Sequence, residues 1–375
     1  MRILFAGGGT GGHVYPAVAM IDELRRRNPS AEIAHVGTRR GLEARLLGRR
    51  ADVRFYPIHV RGLARRGIGG RLLTYACLLV GLVESLGVLA SFRPHLVVGV
   101  GGHSSFPPVF LAALLGRLFR MRTVIHEQNV LGGLANRVLS RFVDSVLISF
   151  EASRSSFPRA QRIVVTGNPI REELLHVKRS EEAYRLFGLD PSRRTILVFA
   201  GSKGSDEIVE QIEVGLDRVA SNRGLQILLI SGDAKRTDAL REAARRAGAQ
   251  NVVVETYVDR MGEAFAVADL VVCRAGATSL AEITACGKAS LLVPWRGAAE
   301  DHQWKNAQAV RAEGACTVAD GDVIVRHGLV RLMQELADDE ATLMRLAGNA
   351  RRRGRPNAKA VILGEIEGMM RGARA

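Results

Sequence analysis

The first 170 residues contain no lysine. Their positive charge rests on 23 arginines against nine acidic residues, a net of +14, whereas residues 171–375 carry 30 basic and 29 acidic residues, a net of +1. Nearly all of the formal +15 therefore sits in the first half. A field so lopsided points to an anionic partner there: phosphate, acidic lipid or nucleic acid. An arginine-rich composition throughout would explain the size of the charge but not its asymmetry. Cysteine is scarce. Cys77, Cys273, Cys286 and Cys316 form no CxxC or CxxH spacing, so neither a zinc site nor a disulfide framework is indicated, and a reducing cytoplasm fits. Aromatics are only 5% and no basic–aromatic strand motif occurs, which weighs against a nucleic-acid partner. No convincing Asp-x-Asp pair is present for a metal-held diphosphate, and no cofactor is expected. Arg2 leads straight into the apolar run Ile3-Leu4-Phe5-Ala6, so no signal peptide is expected.

What is present is ample apolar residue, 47% in 375 positions with 24% charged, which suits two folded domains. Short apolar runs alternate with helical patterns. Strand-like runs fall at residues 3–6, 32–36, 53–58, 96–100, 123–126 and 145–148. The rhythm restarts at 195–200, 225–230, 252–254, 270–273 and 290–293. This is the βαβ pattern of parallel, doubly wound sheets. The expected fold is therefore α/β, two Rossmann-like domains facing across a cleft. The turn Gly167-Asn168-Pro169 and the charged stretch after it mark the hinge. The expected divisions are 1–170, 171–353, and a C-terminal helical piece 354–375 that can pack back on the first domain. Between Arg71 and Arg93, Leu72–Phe92 carries Glu84 as its only charge. Its length could cross a bilayer. Its polar Thr74, Ser85 and Ser91, and its position between two strand-like runs, favour a buried or membrane-touching helix. With Arg61, Arg65, Arg66 and Arg71 ahead of it, it has the form of a basic rim beside apolar surface, suited to an anionic leaflet. Solvated arginines beside a core helix are the alternative.

In doubly wound sheets, ligands bind beyond the carboxyl ends of the strands. The first such loop is Gly7-Gly8-Gly9-Thr10-Gly11-Gly12-His13, where glycine lets backbone N–H groups approach an anion at a helix start. Gly7, Gly9 and Gly12 match GxGxxG, but the ribose-binding acid of a dinucleotide site is absent after the next strand, which ends His35-Val36-Gly37-Thr38, and no Walker Lys-Ser/Thr follows. Two more polar loops, Gly101-Gly102-His103-Ser104-Ser105 and His126-Glu127-Gln128-Asn129, would reach the same sheet edge. In the second half, Ala200-Gly201-Ser202-Lys203-Gly204-Ser205 suits a phosphate. The amides of Arg274-Ala275-Gly276-Ala277-Thr278-Ser279 could hold a diphosphate, and Glu282 could accept two ribose hydroxyls. Read alone, Glu282 is equally an exposed helical acid, and Asp301 of Asp301-His302-Gln303 is a helix N-cap.

Taken together, GGTGGHVYPA (Gly8 to Ala17), HEQN (His126 to Asn129), GNPIR (Gly167 to Arg171), RAGATSLAEI (Arg274 to Ile283) and DHQWKNA (Asp301 to Ala307) resemble the MurG family of glycosyltransferases. That resemblance implies the GT-B architecture and transfer of GlcNAc from UDP-GlcNAc to a lipid-linked MurNAc-peptide. It implies a peripheral enzyme on the cytoplasmic face of the bacterial inner membrane, with no nucleic-acid partner. By position it implies that Thr10, Gly11 and Gly12 line the donor–acceptor cleft and that Asn129 meets the GlcNAc. Arg171 and Ser202 would meet the donor nucleotide and phosphates, and Val258 would touch uracil through its backbone. Ala277, Thr278, Ser279, Leu280, Ala281 and Glu282 would hold diphosphate and ribose, and Gln303 the sugar hydroxyls. Gly102 and His103 would belong to the acceptor side. The sequence departs from the family pattern at Ala200, Lys203 and Ser205, where Gly, Gln and Ala are usual, and at His103, where Tyr is usual. The implied reaction is a single inverting displacement with His13 as base or as a positioner of the acceptor diphosphate, and with His126 and Glu127 in reserve. A UDP-GlcNAc 2-epimerase and a basic nucleic-acid-binding protein are the rival readings.

Overall fold

The computed structural model describes residues 1–62, 68–199 and 206–372. The chain forms two compact units, Met1–Ile170 with Asn357–Ala375, and Arg171–Pro356. The first holds a seven-stranded sheet: β1 (Arg2–Ala6), β2 (Glu32–Thr38), β3 (Arg54–Ile58), β4 (Leu96–Gly99), β5 (Arg122–Glu127), β6 (Ser145–Ile148) and β7 (Ile163–Val165). They run in the order β3-β2-β1-β4-β5-β6-β7, every pair parallel. Ile3, Leu4 and Phe5 are all fully buried, because helices cover both faces of the sheet, which is why the strand reads as a continuous apolar run. The second unit holds β8 (Arg194–Phe199), β9 (Leu225–Ile230), β10 (Val252–Glu255), β11 (Leu270–Cys273), β12 (Ala289–Leu292) and β13 (Thr317–Val318), ordered β10-β9-β8-β11-β12-β13 and again all parallel. The edge strands β7 and β13 were not among the strand-like runs. At three and two residues they are too short to show a period.

In the first unit the helices that position the site are α1 (Gly11–Arg27), α2 (Leu42–Leu46), α3 (Ile68–Phe92), α4 (Phe106–Phe119) and α5 (Leu134–Leu139). Arg25, Arg26 and Arg27 occupy the last turn of α1, where cations suit the helix dipole. The last helix, Ala358–Gly372, buries Ile362, Leu363, Ile366 and Met370 in the same core as Ile3, Met20 and Leu24 of the first unit. Arg162 and Arg27 pair with its Glu365 and Glu367 at 2.6 and 3.8 Å.

The apolar run is one helix, α3, joining the parallel strands β3 and β4. A crossover helix returns along the sheet that both strands share, so it cannot carry one of them across a bilayer. Its faces are sorted unusually. Thr74, Gly81, Ser85, Val88 and Phe92 recur at helical spacing and are buried, whereas Leu72, Tyr75, Leu79, Val83 and Leu86 form an exposed stripe. Gly81 is a point of close approach between the helix and its neighbours, since a Cβ there would lie 2.7 Å from Val60. Glu84 is held by His59, whose N–H and Nδ1 both lie 2.6 Å from its carboxylate oxygens. Packed alongside, α4 adds exposed Leu114, Leu118 and Phe119. Arg65 and Arg66 of the expected basic rim lie outside the described residues, while Arg61, Arg93, Arg120 and Arg141 are exposed.

Candidate active site

In the first sheet the strand order reverses at β1 and β4, and Ala6 stands opposite Gly99 in register. The loops that follow therefore leave the sheet side by side, at the switch point where such folds bind ligands. They interlock backbone to backbone. Gly8 N–H donates to Gly101 O at 3.3 Å, and a Cβ on Gly102 would lie 2.4 Å from Gly8 O. Gly102 also has φ +80°, so glycine is required there twice over. The third loop joins them through Gln128, whose Nε2 donates to Val100 O at 3.0 Å.

Thr10 is exposed in extended backbone at the N-cap of α1, Gly11 is buried and Gly12 half-buried. His13, in the first turn, is half-buried, and its Nδ1 lies 3.3 Å from both Gly8 O and Thr10 Oγ1. A carbonyl only accepts, so Nδ1 donates to Gly8 O, and in the neutral ring Nε2 then carries the lone pair. Nε2 faces Gly101: a Cβ built there would stand 3.2 Å from it. His103 is next to the same loop, its Cε1 3.6 Å from the Cβ position of Gly9, and burial holds its pKa below the ordinary 6.5.

His126 and Glu127 are placed differently from the reserve-base reading. His126 is fully buried. Its Nε2 donates to Gly167 O at 2.9 Å, Gln128 Nε2 donates to its Nδ1 at 3.0 Å, and burial pushes its pKa down to about 4. Glu127 accepts Asn129 N–H and Gly133 N–H at 3.0 and 2.9 Å, and Asn136 Nδ2 at 2.9 Å. With both ring nitrogens and both carboxylate oxygens engaged, these two residues brace the loop that carries Asn129. Asn129 itself is half-buried, with Nδ2 3.3 Å from Glu127 Oε1. Sequence reasoning also missed Glu43, a buried carboxylate of α2 beneath the first loop, because it stands in no motif.

In the second unit β8 and β11 form the corresponding reversal, with Phe199 opposite Cys273. Ser202 lies outside the described residues. After β11, the helix Ala277–Ala285 begins at Gly276 in extended backbone. Thr278, Ser279 and Ala281 are half-buried, while Ala277 and Leu280 face the core, so the latter two can meet a ligand only through backbone. Asn306 Nδ2 fixes the approach to this helix by donating to Ala275 O at 3.2 Å, and Arg274 is tied to Val293 O and Glu207 at 3.1 and 2.7 Å. Glu282 is buried rather than an exposed helical acid, and Arg171 Nε donates to its Oε1 at 3.0 Å. Burial lifts the Glu282 pKa above the carboxylate norm, and the Arg171 charge only partly offsets this. Arg171 thus contacts the expected ribose acid directly, with Glu173 3.4 Å away on its other side.

Val258 is buried in the loop after β10. Gln303 accepts Trp295 N–H at 2.9 Å, which leaves its amide N–H groups as the donors a ligand could use. Asp301 occupies the N-cap position of the helix His302–Ala312 but does not cap it. Its backbone is left-handed, φ 57°, as is that of Glu300, and its carboxylate pairs with Arg296 at 2.9 Å. The Arg296 guanidinium in turn lies 3.9 Å over the Trp304 ring.

Residues 3–148 match the glycosyltransferase family 28 N-terminal domain and residues 195–361 the glycosyltransferase family 28 C-terminal domain. A protein of Bacillus subtilis (strain 168) is 34% identical over 98% of this chain and 99% of its own length, and one of Citrifermentans bemidjiense is 39% identical over 94% and 95%. Both are named UDP-N-acetylglucosamine--N-acetylmuramyl-(pentapeptide) pyrophosphoryl-undecaprenol N-acetylglucosamine transferase. Among solved structures, MurG of Acinetobacter baumannii matches with a TM-score of 0.76 and 25% identity over 98% of this chain and 99% of that one. The UDP-GlcNAc 2-epimerase of Neisseria meningitidis matches at 0.66 and 15% identity over 98% and 99%, a likeness of fold alone. Two parallel-sheet units of GT-B type, a domain match in each, and near-full-length relatives above 30% identity establish that the chain belongs to glycosyltransferase family 28.

Proposed function

We propose that this chain transfers GlcNAc from UDP-GlcNAc to the MurNAc of an undecaprenyl-diphosphate-linked MurNAc-pentapeptide, the last step in building the lipid-linked peptidoglycan precursor. The observation that carries it is the 34–39% identity, over nearly the whole length, to transferases named for that reaction. The acceptor belongs to the first unit and the donor to the second. His13 Nε2 takes the proton of the attacking sugar hydroxyl, an assignment supported by its lone pair and by the engagement of His126 and Glu127 elsewhere. Thr10, Gly11, Gly12, Gly102 and His103 shape the acceptor side, and Asn129 meets the GlcNAc. The backbone of residues 277–281, with Ser202, stabilises the departing diphosphate through N–H groups and the helix dipole. Glu282, oriented by Arg171, receives the ribose hydroxyls. The Val258 backbone meets uracil, and the Gln303 amide meets the sugar hydroxyls. Inversion follows from a single displacement: the acceptor oxygen bonds to the anomeric carbon as the bond to UDP breaks.

The enzyme works peripherally at the cytoplasmic face of the membrane. The exposed apolar stripe of α3, with exposed Arg61 and Arg93 on the chain to either side of that helix, supports this. Nucleic acid is not a partner. The decisive experiment follows labelled GlcNAc from UDP-GlcNAc onto a lipid-linked MurNAc-peptide. Acceptor-dependent transfer with release of UDP is expected. A new UDP-sugar formed without acceptor would instead make the chain an epimerase.

A further inference from the structure

Beneath the Gly7-Gly8-Gly9 loop lies a group to which neither the motifs nor the reaction above assigns a role. Glu43 is fully buried in the first turn of α2. Its Oε2 accepts Gly9 N–H at 3.0 Å, and its Oε1 accepts Thr38 N–H at 2.8 Å and the Thr38 hydroxyl at 2.7 Å. Three glycines wall it in. A Cβ on Gly8 would stand 2.2 Å from its Cδ, one on Gly37 2.4 Å from its Cγ, and one on Gly41 2.3 Å from its Oε1. Burial raises its pKa, but the hydrogen bonds from Gly9 and Thr38 outweigh burial and hold it below the usual carboxylate value. The group is therefore an anion held in a cage of donors.

This changes the reading of the glycine loop. Gly9 N–H, which such a loop could turn toward a phosphate, is already committed to Glu43. The carboxylate instead sets the shape of the loop from below, and the loop sets the histidines. Gly8 O receives His13 Nδ1 at 3.3 Å, Gly8 N–H reaches Gly101 O at 3.3 Å, and the Cβ position of Gly9 touches His103 at 3.6 Å.

We propose that Glu43 is a positioning residue of the transfer reaction: it fixes the Gly8-Gly9 turn so that the Gly8 carbonyl holds the His13 ring with Nε2 toward the attacking hydroxyl. The proposal rests on the role given to His13 above. Glu43 itself touches no substrate. Glutamine at this position has the same shape and can still accept from Thr38. Its amide nitrogen, however, meets Gly9 N–H donor against donor, so the turn must move away. A shift of about 1 Å in a group that supports the reacting geometry costs up to about 100-fold in rate.

The test compares the full chain with Glu43→Gln in transfer of labelled GlcNAc from UDP-GlcNAc to a lipid-linked MurNAc-peptide, together with UDP affinity and thermal melting. We expect kcat to fall about 10- to 100-fold, while the KM for UDP-GlcNAc and the affinity for UDP stay within about twofold and melting stays above the assay temperature. A purely structural role would lower activity only in step with the unfolded fraction, and that result overturns the proposal, as does a kcat within about twofold of the parent. An inactive parent overturns the proposed function and this role with it. An active parent and an equally active variant overturn this role alone. If Glu43→Gln does not fold, Thr38→Val decides, because it removes one donor from the carboxylate at similar volume. Lower kcat at unchanged melting supports the proposal, and parental kcat refutes it.

Discussion

The exposed stripe of α3 makes a quantitative prediction about membrane attachment. Leu79 and Val83, one helical turn apart, are 65% and 72% exposed. Full burial of a leucine or valine side chain contributes about 1.5–3 kcal/mol, so moving two-thirds of each from water into the interfacial region contributes about 1–2 kcal/mol. The pair together then contributes about 2–4 kcal/mol, or roughly 30- to 1,000-fold in partitioning at 1.4 kcal/mol per tenfold. Replacing both with serine should lower binding to acidic vesicles by that factor. The fold should change little, because the inward face of α3 is built from Thr74, Gly81, Ser85, Val88 and Phe92. Co-sedimentation with vesicles containing acidic lipid, at low salt, measures the factor, and circular dichroism checks the fold. Added salt should weaken binding of the parent, since the arginines near the stripe act through screened attraction. Unchanged sedimentation of a folded double variant would refute the assignment of this face. Equal binding to neutral and acidic vesicles would remove the electrostatic part.

Three further outcomes are expected. His13→Ala should lower turnover by about 10²- to 10⁴-fold, the usual size of a lost general base, with UDP affinity unchanged by calorimetry; unaltered turnover would exclude it from proton transfer. Glu282→Gln should weaken UDP binding by about 10- to 100-fold, as expected for loss of a charged hydrogen-bonding group worth about 1.5–3 kcal/mol; the calorimetric signal for UDP decides this, and parental affinity would assign the ribose elsewhere. Stability should fall as pH drops. His35 and His126 are both fully buried with pKa values pushed down to about 4, so below the unfolded value of about 6.5 the unfolded chain binds more protons than the native one. Each histidine should therefore cost about 1.4 kcal/mol per pH unit between about 6.5 and 4. Urea unfolding at pH 7.5, 6 and 5 measures the slope, and a flat profile would show that the two rings are not held neutral.

The alternation of apolar runs with helical patterns was enough to read both parallel sheets apart from the short edge strands β7 and β13, because strands covered on both faces need uninterrupted apolar sequence. The glycine loops after β1 and β4 were legible for the same local reason: a chain that must turn sharply and approach another backbone needs glycine, as Gly102 shows against Gly8. The GATSLAE segment carried its own signal, small residues opening a helix after a strand. Orientation is a different matter, because it depends on what lies across from a residue. HEQN reads as a cluster of reactive groups, yet His126 and Glu127 turn inward to satisfy the loop backbone. Asp301 reads as a cap, but Arg296 takes its carboxylate. The apolar stretch of α3 reads as a buried or membrane-touching helix, and only packing against α4 and β3 sorts it into an inner face that mixes Thr74, Gly81 and Ser85 with Val88 and Phe92, and an apolar outer one. Glu43 stands in no motif and carries no signal of its own in the sequence. Its role comes from Gly9 and Thr38, 34 and five residues distant in sequence, which only the folded sheet brings within 3 Å of one carboxylate.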